Sequence, residues 1–227
     1  MIGIICAMKI EAEAMEKQMC DVCTEEISGV TFTRGKLCGK DVVLSVCGIG
    51  KVFAAVCTEA MILRYAPALI LNSGVAGTLT PALSIGDIAI ASTLVQHDMD
   101  TSPIGDPVGL ISGINKIHFE ADKTAVGSLE RAAASVGARG AVGTIASGDQ
   151  FLSDAGRKKW IADTFGAIAC EMEGAAIAQV AYVNRTPFAV LRAISDSADG
   201  SSHMDYPVFA QMAAEQSVRL LLTFLQG

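Results

Sequence analysis

Glu171-Met172-Glu173-Gly174 and, one helix and one strand further on, Arg192-Ala193-Ile194-Ser195-Asp196 are the segments on which the reading of the fold turns. Each places an acidic group where an apolar run stops, which is where ligands meet α/β sheets. A strand buried on both faces has no room for a carboxylate, so Glu173 and Asp196 are expected at strand ends facing one crevice. The competing explanation is that both are helix N-caps set against the helix dipole. Glu11 shifts the balance, because it follows the apolar opening run Ile2-Gly3-Ile4-Ile5-Cys6-Ala7-Met8 and so lies beyond a third buried strand. Carboxyl groups converging from several strand ends point to acid/base chemistry.

Composition narrows the possibilities. With 227 residues, 51% of them hydrophobic, and a mean hydropathy of +0.44, the chain can bury a large core, and one domain spanning residues 1–227 is the simplest organisation. A membrane span needs about 18 uninterrupted apolar residues. The most apolar stretches are broken sooner, by Arg64 and Pro67 or by Asn184, Arg185 and Pro187. No basic leader precedes the first apolar run, so a cleaved secretion signal is not expected. The seven cysteines form an odd count and mostly sit within apolar patterns, which fits a reducing cytoplasm. Cys20 and Cys23 make a C-x-x-C unit, but no second pair follows at zinc spacing, and no metal is expected. A net charge of −7 argues against binding nucleic acid through its phosphates.

Short aliphatic runs at 2–8, 41–47, 68–73, 85–95, 139–146, 167–172 and 187–195 are predicted strands. Segments with helical period at 11–20, 51–65, 122–136, 154–164, 173–183 and 206–225 lie between and after them. Near the start, Val30-Thr31-Phe32-Thr33 and the strand from Asp41 flank a turn at Cys38-Gly39-Lys40, so the sheet is expected to be mixed. The irregular region from His97 to Ile117 is a candidate lid or subunit contact, or an ordinary surface excursion.

Three glycine-containing stretches close strands. Gly48-Ile49-Gly50-Lys51 opens a helix, where backbone N–H groups can face a ligand. It is neither a Walker A sequence nor a complete G-x-G-x-x-G, because Ser45, Val52 and Phe53 occupy the deciding positions. Asn72-Ser73-Gly74-Val75-Ala76-Gly77-Thr78 reads as a second small-residue turn that either lets a flat ligand approach the backbone or is simply tight. Ser147-Gly148-Asp149-Gln150-Phe151-Leu152 sets an aromatic at another strand end, either as a core plug or as a platform for a planar base. His97-Asp98-Met99-Asp100 has no partner at metal-ligand spacing, and a structural hydrogen bond is expected there.

Taken in order with Glu11, these segments resemble the 5′-methylthioadenosine/S-adenosylhomocysteine nucleosidases over nearly the whole chain. The resemblance implies the nucleoside phosphorylase/hydrolase fold, an α/β class three-layer α/β/α sandwich with a mixed central sheet. It also implies a cytoplasmic homodimer in methionine salvage, without cofactor or metal. Carried over by position, Asp196 would be the general acid that protonates N7 of adenine and Glu11 the base that activates water. Arg192 would sit near the water and the acidic cluster. Glu173 would hold the ribose hydroxyls, with Glu171 beside it, Met172 under the sugar and Phe151 against adenine. Leu152 backbone groups would read the base edge, while Ile49, Val75, Ala76, Gly77 and Ser195 would line the pocket. Val75 stands where members of the family often have Ser. Ile104, from a lid contributed across the dimer interface, and Tyr206 are candidates for the 5′-substituent subsite, though a helix-start anchor fits Tyr206 equally well.

Chemistry agrees with that assignment. Breaking a ribosyl C–N bond leaves an oxocarbenium-like sugar and a departing base, so an acid and a water-activating base are required on opposite sides. A purine nucleoside phosphorylase would need a cationic pocket for phosphate, and Lys9-Ile10-Glu11-Ala12-Glu13 is acidic where phosphate would sit. A futalosine-type hydrolase and a nucleoside-binding protein without turnover are the other rivals.

Overall fold

β-Branched and aliphatic runs pair into one mixed sheet of ten strands in the computed structural model, which describes residues 1–196 and 206–227, with the side chains of 206 and 207 excepted. In chain order the elements are β1 (Ile2–Cys6), α1 (Lys9–Glu16), β2 (Cys20–Ile27), β3 (Val30–Leu37), β4 (Lys40–Val46) and α2 (Lys51–Tyr65). There follow β5 (Leu69–Thr78), β6 (Ile88–Gln96), a 3-10 turn (Ser102–Ile104), β7 (Phe119–Glu120), α3 (Lys123–Ser135) and β8 (Gly140–Ser147). The chain ends with α4 (Ala155–Phe165), β9 (Ala167–Glu171), α5 (Gly174–Val183), β10 (Phe188–Asp196) and α6 (Tyr206–Gln226).

β5 is the hub of the sheet. It runs parallel to β1 and β10 and antiparallel to β9. β10 pairs with β6, β6 with β8 and β8 with β9, so β5, β10, β6, β8 and β9 close a circuit. From β1 the sheet continues through β4, β3 and β2 to an open edge. Parallel strands need both faces covered, and the nine residues of β10 are accordingly all buried. α2 and α5 pack together over one part of the sheet, α1, α3 and α6 over another, and α4 lies on β8 and β9. Ile4, Leu44, Leu71, Phe32 and Met61 are wholly enclosed. Each such side chain contributes about 1.5–3 kcal/mol from burial alone.

Two sequence expectations require correction. The helix expected over 11–20 ends at Glu16, and Cys20–Ile27 is a strand. Ser28 and Gly29, at φ 54° and 74°, form the tight hairpin turn that joins it to β3. β2 is mostly exposed, so it lacks the apolar alternation that marks a half-buried strand. The second difference is at Asn72–Thr78, which is not a turn but the outer half of β5, in register with β10 from Ser73↔Leu191 to Gly77↔Asp196. Its small residues serve close packing against neighbouring side chains, not chain reversal. The turn at Cys38-Gly39 lies where it was expected, with both residues at positive φ.

Candidate active site

The C-terminal ends of β1, β5, β8, β9 and β10 surround a cavity of about 390 Å³. Ala7, Met8 and Glu11 contribute from the β1–α1 junction, and Ile49 from the turn before α2. Val75, Ala76 and Gly77 come from β5, and Gln150, Phe151 and Leu152 from beyond β8. Cys170, Glu171, Met172 and Glu173 enter from the end of β9, with Ser195 and Asp196 from the end of β10.

Glu11 is the third residue of α1, and its side chain folds back over the start of that helix. Oε2 accepts from the backbone N–H groups of Ala7 and Met8, both at 2.9 Å, and Oε1 accepts from Val75 N at 3.2 Å. Burial raises its pKa, opposed by the Arg192 charge and these N–H donors. Gly74 makes the geometry possible. A Cβ there would lie 2.6 Å from both Arg192 Nη1 and Glu11 Oε1, so only glycine lets the two charged groups converge over β5.

Below Glu173 runs a buried polar network. Arg192 Nη2 donates to Glu171 Oε2 and to Asn72 Oδ1 and lies 3.8 Å from Glu173 Oε2. Glu171 also accepts from the Ser147 hydroxyl and from the N–H groups of Glu173 and Gly174 at 3.0 and 2.8 Å. Burial alone would raise the Glu171 pKa, but Arg192, Ser147 and the Gly174 N–H together hold it below the usual carboxylate range. Glu173 moves the other way, to about 7, because burial and the Glu171 charge outweigh Arg192 and the Gly50 N–H that donates to it at 2.8 Å. Two carboxylates one residue apart are thus driven to opposite protonation behaviour, the arrangement that separates a structural anion from a working one. Glu173 occupies the N-cap position of α5 but makes no capping hydrogen bond. The N-cap explanation fails for it.

Asp196 closes β10. Its Oδ2 accepts from Lys158 Nζ at 3.0 Å, and the Ser195 hydroxyl lies 3.3 Å from Oδ1. A Cβ on Gly77 would meet Oδ2 at 2.6 Å, so the second glycine of β5 makes room for this carboxylate.

Of the residues singled out in the sequence, Glu11, Ile49, Val75, Ala76, Gly77, Phe151, Leu152, Glu171, Met172, Glu173, Ser195 and Asp196 line one cavity. Arg192 does not; it is 1% exposed and acts on the carboxylates from beneath. Ile104 is 82% exposed on the 3-10 turn and does not line the cavity of its own chain. The Tyr206 side chain lies outside the described residues. His97 also departs from expectation: it is buried, burial lowers its pKa, and neither ring nitrogen has a partner among the described residues. Side-chain hydrogen bonds at that hinge are made by Asp98, which accepts from Lys51 Nζ at 2.7 Å and Asp149 N at 2.9 Å, and by Asp100, which accepts from Ser102 N at 2.8 Å.

Sequence reasoning missed Ala7, Met8, Gln150 and Cys170 in the cavity wall and Lys158 beside Asp196. Only Lys158 had a legible signal. It falls on the apolar stripe of α4 with Ile161 and Phe165, where a lysine is out of place.

Comparison with known proteins places this geometry. The sequence profile of the phosphorylase superfamily matches residues 1–226. The chain is 38% identical over 227 residues to a 5′-methylthioadenosine/S-adenosylhomocysteine nucleosidase from Shewanella loihica, covering 99% of this chain and 98% of that protein. The crystal structure of the Neisseria meningitidis nucleosidase of the same name, in complex with methylthio-immucillin-A, superposes with a TM-score of 0.94 at 33% identity, covering 99% of this chain and 98% of that one. A futalosine hydrolase from Helicobacter pylori superposes at 0.93 with 34% identity over 98% of this chain and 96% of that one. Matches of this extent and identity, over a chain whose acidic groups meet from the ends of β1, β9 and β10, make it a member of the phosphorylase superfamily and, within it, of the 5′-methylthioadenosine/S-adenosylhomocysteine nucleosidases.

Proposed function

We propose that the protein, as a single domain, hydrolyses the N-ribosidic bond of S-adenosylhomocysteine and 5′-methylthioadenosine to adenine and the corresponding thioribose. The observation that carries this reading is the meeting of Glu11, Glu173 and Asp196 in one cavity from the ends of β1, β9 and β10. Asp196 protonates N7 of the departing base. Glu11, aimed by three backbone N–H groups, takes a proton from the attacking water. Glu173 accepts from the ribose hydroxyls and stabilises positive charge on the sugar as the bond breaks. Phe151 stacks on the base, Leu152 backbone groups read its edge, and Met172 packs under the sugar.

Water is favoured over phosphate as the nucleophile by the cavity's charge. Among the described residues neither Lys nor Arg lines it, and the guanidinium beneath it is engaged by Glu171 and Asn72. Among the described lining residues, a phosphate dianion beside Glu11 would meet no cation. The likeness to a futalosine hydrolase supports a second reading, in which the same machinery accepts a different base or 5′ group.

A homodimer fits the surface next to the cavity. Ile49, Val52, Phe53 and Val56 expose apolar side chains along the start of α2, and Ile104 does so on the 3-10 turn. In such a dimer Ile104 would complete the partner's 5′-substituent pocket, consistent with its absence from its own. A cytoplasmic location in methionine salvage accords with seven cysteines that form no disulfide in the structure.

The test is base release from S-adenosylhomocysteine, methylthioadenosine, futalosine and inosine, each with and without phosphate. Adenine release from the thionucleosides without phosphate is the expected result. Release only with phosphate would make the protein a phosphorylase. Preferential turnover of futalosine would favour the second reading, and no release from any nucleoside would leave a binding protein.

A further inference from the structure

The reaction as described leaves one charged side chain of the region without a role. Lys158 is on α4, on the stripe it shares with Ile161 and Phe165, and all three are buried. Burying an ammonium costs several kcal/mol unless a charge partner compensates. Asp196 supplies one, with Nζ 3.0 Å from Oδ2 and the two side chains only 3% and 13% exposed. Lys158 does not line the cavity, whereas Asp196 does. The ammonium therefore meets the carboxylate outside the cavity lining.

An ammonium facing a carboxylate has the same proton count as an amine facing a carboxylic acid. Such a pair holds one transferable proton whichever atom carries it. A lone carboxyl must instead take its proton from solvent before it can act as an acid. We propose that Lys158 is a positioning residue that stores the proton Asp196 delivers to the departing base. The proposal rests on Asp196 being the general acid.

The steps balance. The Nζ–H bond breaks as an O–H bond forms on Asp196; that O–H bond then breaks as N7–H forms on the purine. The electron pair of the ribosyl C–N bond leaves with the base. Lys158 is left as a neutral amine and regains its proton from solvent after the base has left. Among the described residues, the titratable group facing the pair from another element is Cys170 on β9, with Glu171 next to it. Burial and the Asp196 charge push the Cys170 thiol up to about 12, so it stays protonated through the working range. On α4 itself, Asp154 caps the helix through Arg157 N, Arg157 lies over the Trp160 ring, and Lys159 pairs with Asp163.

The experiment compares kcat across pH for the wild type, Lys158→Met, Lys158→Arg and Lys158→Ala, with thermal unfolding as the check on folding. Lys158→Met keeps the length and loses the proton store, so its deficit should widen by at least ~10-fold between about pH 6 and pH 8.5. Lys158→Arg keeps the charge but cannot surrender a proton, so it should not recover the wild-type profile. Methylamine should restore turnover to Lys158→Ala with saturation. The proposal is overturned by a Lys158→Met enzyme that matches or exceeds the wild type, by a deficit equal at every pH, or by full recovery with arginine. If the wild type itself releases no base, the hydrolase reading fails and this proposal falls with it; an active wild type with an indifferent Lys158 sinks the proposal alone.

Discussion

The backbone N–H of Gly50 donates to Glu173 Oε1 at 2.8 Å, joining the turn before α2 to the end of β9 across 123 positions of chain. Gly50 has φ +99°, a conformation that side-chain-bearing residues rarely adopt, and a Cβ there would lie 3.0 Å from Asp149 Oδ1. The glycine motif thus aims an amide at a carboxylate instead of at a phosphate.

Glu173 should make stability fall as pH rises through neutrality. Its folded pKa is about 7 against an ordinary 4.5, chiefly because of burial and then of the Glu171 charge. Between those values the unfolded chain gives up a proton that the native protein keeps, so the contribution is full below the lower value and lost through the upper one. Glu173→Gln removes that titration. Its melting temperature relative to the wild type should be higher at about pH 8 than at about pH 5, by the equivalent of about 1 kcal/mol or more. A gap that narrows with pH would contradict the assignment.

Activity should show the opposite trend on the same limb. Accepting from ribose hydroxyls requires the carboxylate, so kcat/KM for methylthioadenosine should rise as pH increases through about 7. A profile flat from about pH 6 to 8 would remove Glu173 from the ionised machinery.

Glu11→Gln and Asp196→Asn should each lower kcat by ~10²–10⁴ while leaving the fold intact. The first keeps a carbonyl oxygen that can still accept from Ala7 and Met8 but turns an NH2 toward the Val75 N–H and cannot take a proton from water; the second cannot deliver a carboxyl proton. Single-turnover base release on each variant would check this, with near-wild-type rates refuting the roles.

Glu171→Ala should destabilise the protein by about 3–5 kcal/mol, because it leaves the Arg192 guanidinium buried beside one fewer carboxylate and frees two backbone N–H groups. Denaturant unfolding would measure it, and a loss under about 1 kcal/mol would show that Asn72 and Glu173 suffice for Arg192.

Gly74→Ala tests the convergence of Glu11 and Arg192 directly. The new methyl would overlap both charged groups, so activity should collapse with a loss of stability of about 1–3 kcal/mol. Wild-type turnover in this variant would mean that neither group needs its observed position.

Much of the architecture was readable from periodicity. α2 and the strands ending at Glu171 and Asp196 fall within a residue or two of their expected bounds, because buried parallel strands are continuous apolar runs and α2 is a run of helix-forming residues opened by a glycine turn. β2 was hidden because an exposed edge strand has no buried face to pattern. The outer half of β5 reads as a turn in the sequence because glycine and alanine mark both turns and tight packing, and local sequence does not distinguish the two.

The same division holds in the site. The sequence by itself determined the chemical inventory: Glu11, Glu173 and Asp196 at the ends of apolar runs, with glycines near them, because charge at the end of a buried strand is a local property of the chain. Only the tertiary structure decided which acids work and which support. Glu171 and Glu173 are near neighbours in sequence, yet one is held ionised by Arg192 and Ser147 and the other is pushed to about 7 by burial and then by that same anion. Lys158 meets Asp196 across 38 positions. Protonation depends on desolvation and on charges a few ångströms away, and those distances exist only once distant segments have packed.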